Sequence, residues 1–214
     1  MNTVAIIQAR LGSTRLPNKT VMDIAGKPLI WHVVRRVKMA KMLDDVVLAI
    51  PEETNSDMIS YAVHDLGVMI YIFSGDPSDL VRRYASVAAT HCIDIIVRIP
   101  GDNPCISPEE IDRMILDYQL MQRPIGWLHS NLDRNILNNG YPGGLGAEIY
   151  HHDFIDWLDE TIHNPIEREH PHFWPMANGR VRTIECPAPI RRPELRFDVN
   201  TLGDEYQRDV KAGQ

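Results

Sequence analysis

The stretch IIQARLGSTRLPNK, residues 6–19, runs from an apolar segment into a loop that is rich in cations. The loop holds Arg10, Gly12, Ser13, Thr14, Arg15 and Lys19. Backbone N–H groups, hydroxyls and cationic side chains after a strand are the groups that bind phosphate. The spacing A-R-x-G-S-x-R-x-P-x-K lacks the G-K-[ST] ending of the Walker pattern and does not match G-x-G-x-x-G. The loop therefore predicts a triphosphate site of a different kind, the alternative being an ordinary solvated turn.

Short β-branched runs alternate with helical patterns over the first 120 residues. Strands are predicted near 3–9, 45–50, 68–73 and 93–99, and helices over 28–42, 55–66, 77–91 and 108–121. Continuous apolar strands are expected where helices cover both faces of a sheet. Ser107, Pro108 and Glu110 form a predicted capping box at the start of the last helix. The order predicts an α/β, Rossmann-like fold with a mostly parallel central sheet flanked by helices.

In such sheets ligands bind beyond the carboxyl ends of the strands. The loop at 9–19 follows the first strand, and PGDNP at 100–104 follows the fourth. Asp102 is therefore placed to hold Mg²⁺ facing the phosphates, with Asp198 or Asn200 as a second ligand. Strand alternation directs these last two side chains to the same side. The alternative for Asp102 is a turn-forming residue.

Composition limits the function. The 214 residues include 22 Lys plus Arg and 29 Asp plus Glu, a net charge of -7, which argues against a broad nucleic-acid surface. Cys92, Cys105 and Cys186 are odd in number and widely spaced, so a reducing cytosol is expected rather than a disulfide framework. The first residues carry neither a signal-peptide pattern nor a membrane span. We expect a single cytoplasmic domain over 1–214.

After residue 122 the alternation ends. The glycine-rich stretch at 138–146 and the histidine-bearing stretch at 164–175 predict an irregular portion around 123–190 that completes the pocket and contributes to an oligomer contact. A final strand and helix are predicted over 195–210.

Two further groups of polar residues are informative. Arg98 interrupts an apolar strand and is expected to pair with a carboxylate or a ligand phosphate, whereas Arg82 and Arg83 are expected on an exposed helix face. The pairs His151 with His152 and His170 with His172 match no H-E-x-x-H or Cys/His spacing. The histidines therefore favour solvated or interface segments over a zinc site, and His170 is a candidate contact to a second substrate.

Six motifs in order carry a family resemblance. They are IIQARLGSTRLPNK, GKPLI at 26–30, SGDPSDLVRRY at 74–84, VRIPGDNPCISPEEID at 97–112, REH at 168–170 and FDVNT at 197–201. Together they resemble the cytidylyltransferases of the spore-coat polysaccharide SpsF family, relatives of the CMP-KDO and CMP-sialate synthetases. The resemblance implies a nucleotidyltransferase fold of the glycosyltransferase-A type. It also implies attack of an acceptor oxygen on the α-phosphorus of CTP, with release of pyrophosphate.

The resemblance and the loop chemistry together give a set of expected site residues. Nucleotide binding is expected at Ala9, Arg10, Leu11, Gly12, Ser13, Arg15, Lys19, Gly101 and Asp102, with Arg10, Arg15, Lys19 and Asp102 catalytic. Mg²⁺ is expected on Asp102, Asp198 and Asn200, and a small anionic acceptor on Arg98, Glu148, Arg168 and His170. The chain departs from the family at Gly143 and Gly146, where aspartates are common, and at Asn200, where many relatives carry a metal-binding aspartate.

Two other functions remain open. A glycosyltransferase of the same fold would use a D-x-D motif, which does not occur in the chain. A non-catalytic nucleotide-binding relative would fit the missing aspartates. The resemblance also implies a homodimer, with CTP or another NTP as one substrate and neither nucleic acid nor membrane as a partner.

Overall fold

The computed structural model describes residues 1–13, 15–52, 57–121, 126–131 and 139–200. The strands are β1 Thr3–Gln8, β2 Asp23–Ile24, β3 Lys27–Pro28, β4 Asp45–Pro51, β5 Met69–Phe73, β6 Ile95–Pro100, β7 Leu128–Ser130, β8 Glu148–His151 and β9 Val181–Arg182. The α-helices are α1 Leu29–Val37, α2 Asp57–Ala62, α3 Leu80–His91, α4 Pro108–Leu120, α5 His152–Thr161, α6 Pro165–Glu169 and α7 Phe173–Ala177. Short 3₁₀ turns cover Lys19–Val21, His64–Leu66 and Ala188–Ile190.

Seven strands form one mixed sheet in the order β5-β4-β1-β6-β8-β7-β9. The pairs β5–β4, β4–β1, β1–β6 and β7–β9 are parallel, and β8 runs antiparallel to both of its neighbours. Apolar clusters cover the two faces of the sheet, one under α1 and α4 and the other under α3 and α5. The predicted α/β fold with a mostly parallel sheet is confirmed. Among the described residues, no helix has the length and apolar character that crossing a bilayer requires.

The four predicted strands are present, but one is not covered on both faces. β5 lies at the edge of the sheet, and Met69 and Ile72 are exposed. The prediction that both faces of this strand are buried was wrong. A continuous apolar run does not reveal whether a strand lies in the middle of a sheet or at its edge.

Three helices are shorter than predicted, and α2 ends at Ala62 rather than near 66, with the 3₁₀ turn His64–Leu66 after it. α1 ends at Val37 rather than near 42, because the N–H groups of Lys41 and Met42 donate to the Asp112 carboxylate instead of to helical carbonyls. α3 begins at Leu80 rather than Pro77, because Asp79 caps it by accepting from the Arg82 N–H.

The predicted start of α4 is confirmed, although only half of the capping box forms. The Ser107 side chain accepts from the Glu110 N–H. The Glu110 carboxylate bonds with Arg113 and Tyr141, and the Ser107 N–H donates to the Leu145 carbonyl instead.

The second half is more regular than predicted. Strands β7–β9 and helices α5–α7 fall largely within 123–190, and the stretch 164–175 contains α6 and part of α7. The glycine-rich stretch is irregular over its described residues 139–146, as predicted. The predicted closing strand is wrong, because residues 195–200 form only an isolated bridge between Arg196 and Gly143. The helix predicted beyond residue 200 lies outside the described residues.

The ends of β1 and β6 determine where a ligand can bind. After β5 the chain crosses to the other side of β1, so the strand order reverses between β1 and β6, and ligands bind at such reversals. Gln8 pairs with Pro100 at the carboxyl ends of the two strands. A methyl group on Gly101 would lie 2.3 Å from the Gln8 carbonyl oxygen, so the close approach of the two chain segments requires glycine.

We expect Gly101→Ala to lower the free energy of unfolding by at least about 2 kcal/mol, because neither backbone can move without breaking the β1–β6 ladder. Urea unfolding followed by circular dichroism measures the change. Gly67→Ala is the control: its left-handed backbone costs about 1 kcal/mol, but the added methyl meets nothing within 4 Å. Equal losses in the two variants would contradict the close approach.

Candidate active site

A cavity of about 360 Å³ opens at the carboxyl ends of β1 and β6. Its lining is Gln8, Ala9, Arg10, Ser13, Arg15, Lys19, Thr20, Leu80, Arg83, Arg98, Pro100, Gly101, Asp102, Glu169 and His170. Five of these side chains are cationic and two are anionic. The cavity is therefore electropositive in a chain whose net charge is -7, which suits a polyanionic ligand.

The loop after β1 is folded around the Leu11 carbonyl. This oxygen accepts from the N–H groups of Ser13 and Asn18, and the Thr20 hydroxyl donates to the Arg10 carbonyl at 2.6 Å. Leu11 itself is buried in the core and does not line the cavity. Leu11 therefore contributes to the expected nucleotide site only by holding the loop in its conformation.

The cations of the loop each contact an oxygen from a distant part of the chain. The Lys19 ammonium lies 2.7 Å from Asp102 Oδ2 and 3.0 Å from the Val199 carbonyl oxygen. A guanidinium nitrogen of Arg15 donates to Asn200 Oδ1 at 3.0 Å. The structure thus brings the cationic loop and the acidic loop after β6 together on one cavity wall.

Arg10 forms the third of these contacts, with Glu169 at the end of α6, at 2.9 Å. Glu169 is a residue of the cavity that the sequence analysis did not select. Its position next to His170 in the REH motif is the signal that could have identified it.

The candidate metal ligands form one group beside Asp102. The Val199 N–H donates to the Asp102 carbonyl at 2.8 Å, which holds the closing segment against the loop after β6. Asn200 Nδ2 donates to Asp198 Oδ2, and Arg196 pairs with the same carboxylate at 2.5 Å. Asp102 lines the cavity, whereas Asp198 and Asn200 do not. The side chains of Asp198 and Asn200 lie on the same side of the chain, although this segment does not form a strand.

A buried ion pair supports the other cavity wall. Arg98 is 5% exposed and Glu148 is 1% exposed, and their charged groups are 2.8 Å apart. Gln8 accepts a second bond from Arg98, and the Tyr150 hydroxyl donates to Glu148 at 2.8 Å. The Tyr84 hydroxyl also donates to Gln8.

The charges of this pair stabilise each other. Burial by itself would raise the pKa of Glu148, but Arg98, His172 and the Tyr150 hydrogen bond lower it below its usual value. Burial by itself would lower the pKa of Arg98, and Glu148 raises it above the usual value. Arg98 lines the cavity and Glu148 does not, so Glu148 acts by holding the guanidinium in place.

Arg168 forms its contacts within the protein. Its guanidinium contacts Asp79 Oδ2 at 2.8 Å and Asp159 Oδ1 at 2.5 Å and donates to the Ile162 carbonyl. It does not line the cavity. These contacts join α6 to α3 and α5, and the acceptor role expected for Arg168 stays a prediction. His170, the next but one residue, does line the cavity, and burial lowers its pKa.

The sequence analysis was wrong about Arg83. The residue is 1% exposed, lines the cavity and donates to the Pro77 carbonyl at 2.5 Å, whereas Arg82 is exposed as expected. The helical spacing of Leu80, Arg83 and Val87 places Arg83 on the buried face of α3, and this periodicity was the available signal.

The two glycines at which the chain departs from the family have different surroundings. A methyl on Gly146 would lie 2.0 Å from Asn131 Oδ1, an atom that accepts from the Ala147 N–H. A methyl on Gly143 would lie 3.3 Å from Asp198 Oδ1. A side chain at 146 would therefore displace Asn131, and a carboxylate at 143 would stand against that of Asp198.

Comparison with known proteins identifies the family. Residues 4–135 match the sequence profile of the cytidylyltransferases. The chain belongs to the cytidylyltransferase family. This places the chain among the nucleotidyltransferases, as the sequence motifs had predicted.

Two curated relatives show how far the similarity extends. The spore coat polysaccharide biosynthesis protein SpsF of Bacillus subtilis is 28% identical over 214 residues, covering 93% of this chain and 81% of that protein. The 3-deoxy-manno-octulosonate cytidylyltransferase of Geobacter sulfurreducens is 42% identical over 115 residues, covering 54% of this chain and 44% of that enzyme. The alignment thus spans less than half the length of the Geobacter enzyme.

Solved structures share the fold of this cytidylyltransferase. A cytidylyltransferase from Leptospira borgpetersenii superposes with a TM-score of 0.83 at 29% identity, covering 95% of this chain and 84% of that one. The synthetase of CMP-2-keto-3-deoxy-manno-octonic acid, solved with CTP, gives a TM-score of 0.73 at 20% identity, covering 100% and 99%. The predicted nucleotidyltransferase fold is confirmed.

We expect Arg98→Met to lower the free energy of unfolding at pH 7 by about 3 kcal/mol, because Glu148 then keeps a buried charge without its partner. In the wild type the lowered Glu148 pKa stabilises the fold above the unfolded-state pKa, and this contribution is lost as the pH falls. In the variant, burial raises the folded pKa above the unfolded one, so the ionised carboxylate opposes folding. The deficit relative to the wild type should therefore shrink as the pH falls from 7 towards 5.

Urea unfolding at several pH values between 5 and 7.5 measures this difference. Lys27→Met, which removes one partner of the exposed Lys27–Asp65 pair, is the control and should change little across the same range. A deficit in Arg98→Met that is the same at every pH would contradict the assignment.

Proposed function

We propose that the chain transfers CMP from CTP to an acidic sugar, a sugar phosphate or a similar small anionic acceptor, releasing pyrophosphate with the help of Mg²⁺. The product would be an activated precursor for a surface polysaccharide or another glycoconjugate. The observation that best supports this proposal is the meeting of Arg15, Lys19 and Asp102 on one wall of the cavity.

The loop cations suit a triphosphate whose terminal part departs. Negative charge accumulates on pyrophosphate as the bond to the α-phosphorus breaks, and nearby cations lower the energy of that charge. Arg10, Arg15 and Lys19 each contact a protein oxygen. Phosphate oxygens would replace those partners, which are the carboxylates of Glu169 and Asp102 for Arg10 and Lys19 and the amide oxygen of Asn200 for Arg15.

The oxygen-rich group beside Lys19 suits a hard divalent cation. Asp102 would hold Mg²⁺, with Asp198 or the Asn200 amide oxygen as a further ligand, since Mg²⁺ prefers carboxylate and other oxygen donors. When bound, the ion would offset phosphate charge. Lys19, which contacts the Asp102 carboxylate in this structure, would then be available for the phosphates.

Another part of the cavity lining suits an anionic acceptor. Arg98 is fixed by Glu148 with its guanidinium at the cavity, Arg83 lines the same space, and His170 lies beside them. Two guanidinium groups favour a carboxylate or phosphate on the acceptor. The homodimer inferred from the family resemblance stays a prediction.

We expect pyrophosphate release when CTP is combined with one member of a panel of acidic sugars, sugar phosphates and phosphonates, and little release with ATP, GTP or UTP. Arg15→Ala and Lys19→Ala should each lower kcat/KM by about 10² or more, because each removes a charge that stabilises the leaving group. Lys27→Ala, a cation outside the cavity, should leave turnover unchanged. Release of a nucleoside diphosphate from a nucleotide sugar would favour a glycosyltransferase, and nucleotide binding without any product would favour the non-catalytic alternative.

Metal dependence provides a separate test. Chelation should abolish turnover, and added Mg²⁺ should restore it. Asp102→Asn should weaken Mn²⁺ binding, measured by electron paramagnetic resonance in the presence of CTP, far more than Asp198→Asn or Asn200→Ala. Equal and small effects in all three variants would contradict the metal assignment.

A further inference from the structure

A second polar cluster lies at the edge of the sheet opposite the cavity. His151 ends β8 and pairs with Ile95 at the amino end of β6, whereas Glu148, at the other end of β8, pairs with Arg98 at the cavity. His152 and Asp153 begin α5 directly after His151. None of these three residues lines the cavity.

The three side chains direct potential ligand atoms at one another. His152 Nε2 lies 2.8 Å from Asp153 Oδ1, and His151 Nδ1 lies 3.4 Å from Asp153 Oδ2. One potential ligand atom from each of the three residues lies within 4.8 Å of the other two. Metal bonds of about 2.0–2.1 Å place tetrahedral ligands about 3.3 Å apart. The two imidazole rings are stacked with their centroids 4.8 Å apart, so they must turn about their side-chain bonds to converge on one ion.

The His152 ring is also held from its other side. Its Nδ1 lies 3.3 Å from the Asp94 carbonyl oxygen, which accepts from the His152 N–H at 3.0 Å as well. In a metal-binding histidine, the nitrogen that does not coordinate usually donates its N–H to a carbonyl or carboxylate oxygen. A bond from Nδ1–H to the Asp94 carbonyl would fix the tautomer in which Nε2 carries the lone pair for the metal. The Asp94 carboxylate in turn accepts from the Asn2 N–H at 2.7 Å, which fixes this part of the frame.

Helix capping accounts for only part of this arrangement. The Asp153 N–H donates to His151 Nδ1 at 3.3 Å, and this bond explains why a histidine precedes α5. Coordination through His151 Nδ1 would replace this capping bond. Capping does not explain why the His152 ring is held between the Asp94 carbonyl and the Asp153 carboxylate.

We propose that His151, His152 and Asp153 bind a borderline divalent cation such as Zn²⁺, Co²⁺ or Ni²⁺. Two imidazoles and one carboxylate favour these ions over Mg²⁺, which takes oxygen ligands. Asp153 is about half exposed, so water completes the coordination shell on the open side. The ion ties the end of β8 to the start of α5 and stabilises the folded state.

The test uses the full-length chain without a histidine tag, with Mg²⁺ present in excess to occupy oxygen sites. Calorimetric titration with Zn²⁺ should show one site per chain and a rise in melting temperature. His152→Gln and Asp153→Asn should each weaken that site at least about tenfold and remove the rise. His163→Gln, which changes an exposed histidine elsewhere, should bind Zn²⁺ as the wild type does.

Melting each variant without Zn²⁺ confirms that it folds, and the visible absorption of the Co²⁺ form reports whether imidazole nitrogens coordinate. Zn²⁺ affinity that is the same in the wild type, His152→Gln and Asp153→Asn would overturn the proposal. CTP turnover should be unchanged in His152→Gln, so failure of the metal proposal and failure of the proposed transferase activity give different results.

Discussion

The contact between Lys19 and Asp102 is the one on which the candidate active site depends. The two residues are 83 positions apart in the chain, and their charged atoms are 2.7 Å apart in the structure. They meet because β1 and β6 are hydrogen-bonded parallel neighbours that end at the same edge of the sheet. The absence of a side chain at Gly101 lets the two ends approach. The same point anchors the closing segment, since Asp102 and Val199 are joined through their backbones.

The ion pairs around the cavity differ in how exposed they are, and therefore in how easily a ligand can replace one partner. Arg10–Glu169 is 37% exposed on each side chain, and such pairs contribute about 0–1 kcal/mol to stability. Lys19–Asp102 is less exposed, but both residues line the cavity. A bound polyanion can therefore take over these cations at little cost to the fold. Arg98–Glu148 is buried, and breaking it would leave a charge without solvent or partner. The cavity is thus lined by some contacts that a ligand can exchange and by one that stays fixed.

The second half of the chain positions the site without supplying most of its charge. Arg168 ties α6 to Asp79 and Asp159, and this holds Glu169 and His170 at the cavity. The proposed cluster at His151 lies at the far end of β8 from Glu148. Its nitrogen ligands contrast with the oxygen ligands beside Asp102, so the two proposed cation sites differ in the metals they favour.

The sequence by itself determined the elements of the first 120 residues and the chemistry of the two loops. Hydrophobic periodicity and alternation gave the strands, the helices and the α/β class, and residue types in fixed spacing gave the cationic loop and Asp102. These are local properties, because they depend on neighbours within a few positions.

Only the tertiary structure decided which groups meet. Arg83 is buried rather than exposed, Arg168 pairs with Asp79, and Glu169 faces Arg10. Arg10 and Glu169 are 159 positions apart and Arg168 and Asp79 are 89 positions apart, so the fold decides that they meet. The burial of Arg83 follows from the packing of α3 against the sheet. A charged side chain pairs with an opposite charge that the fold brings within about 4 Å, and the residues next to it in the sequence do not indicate which charge that is.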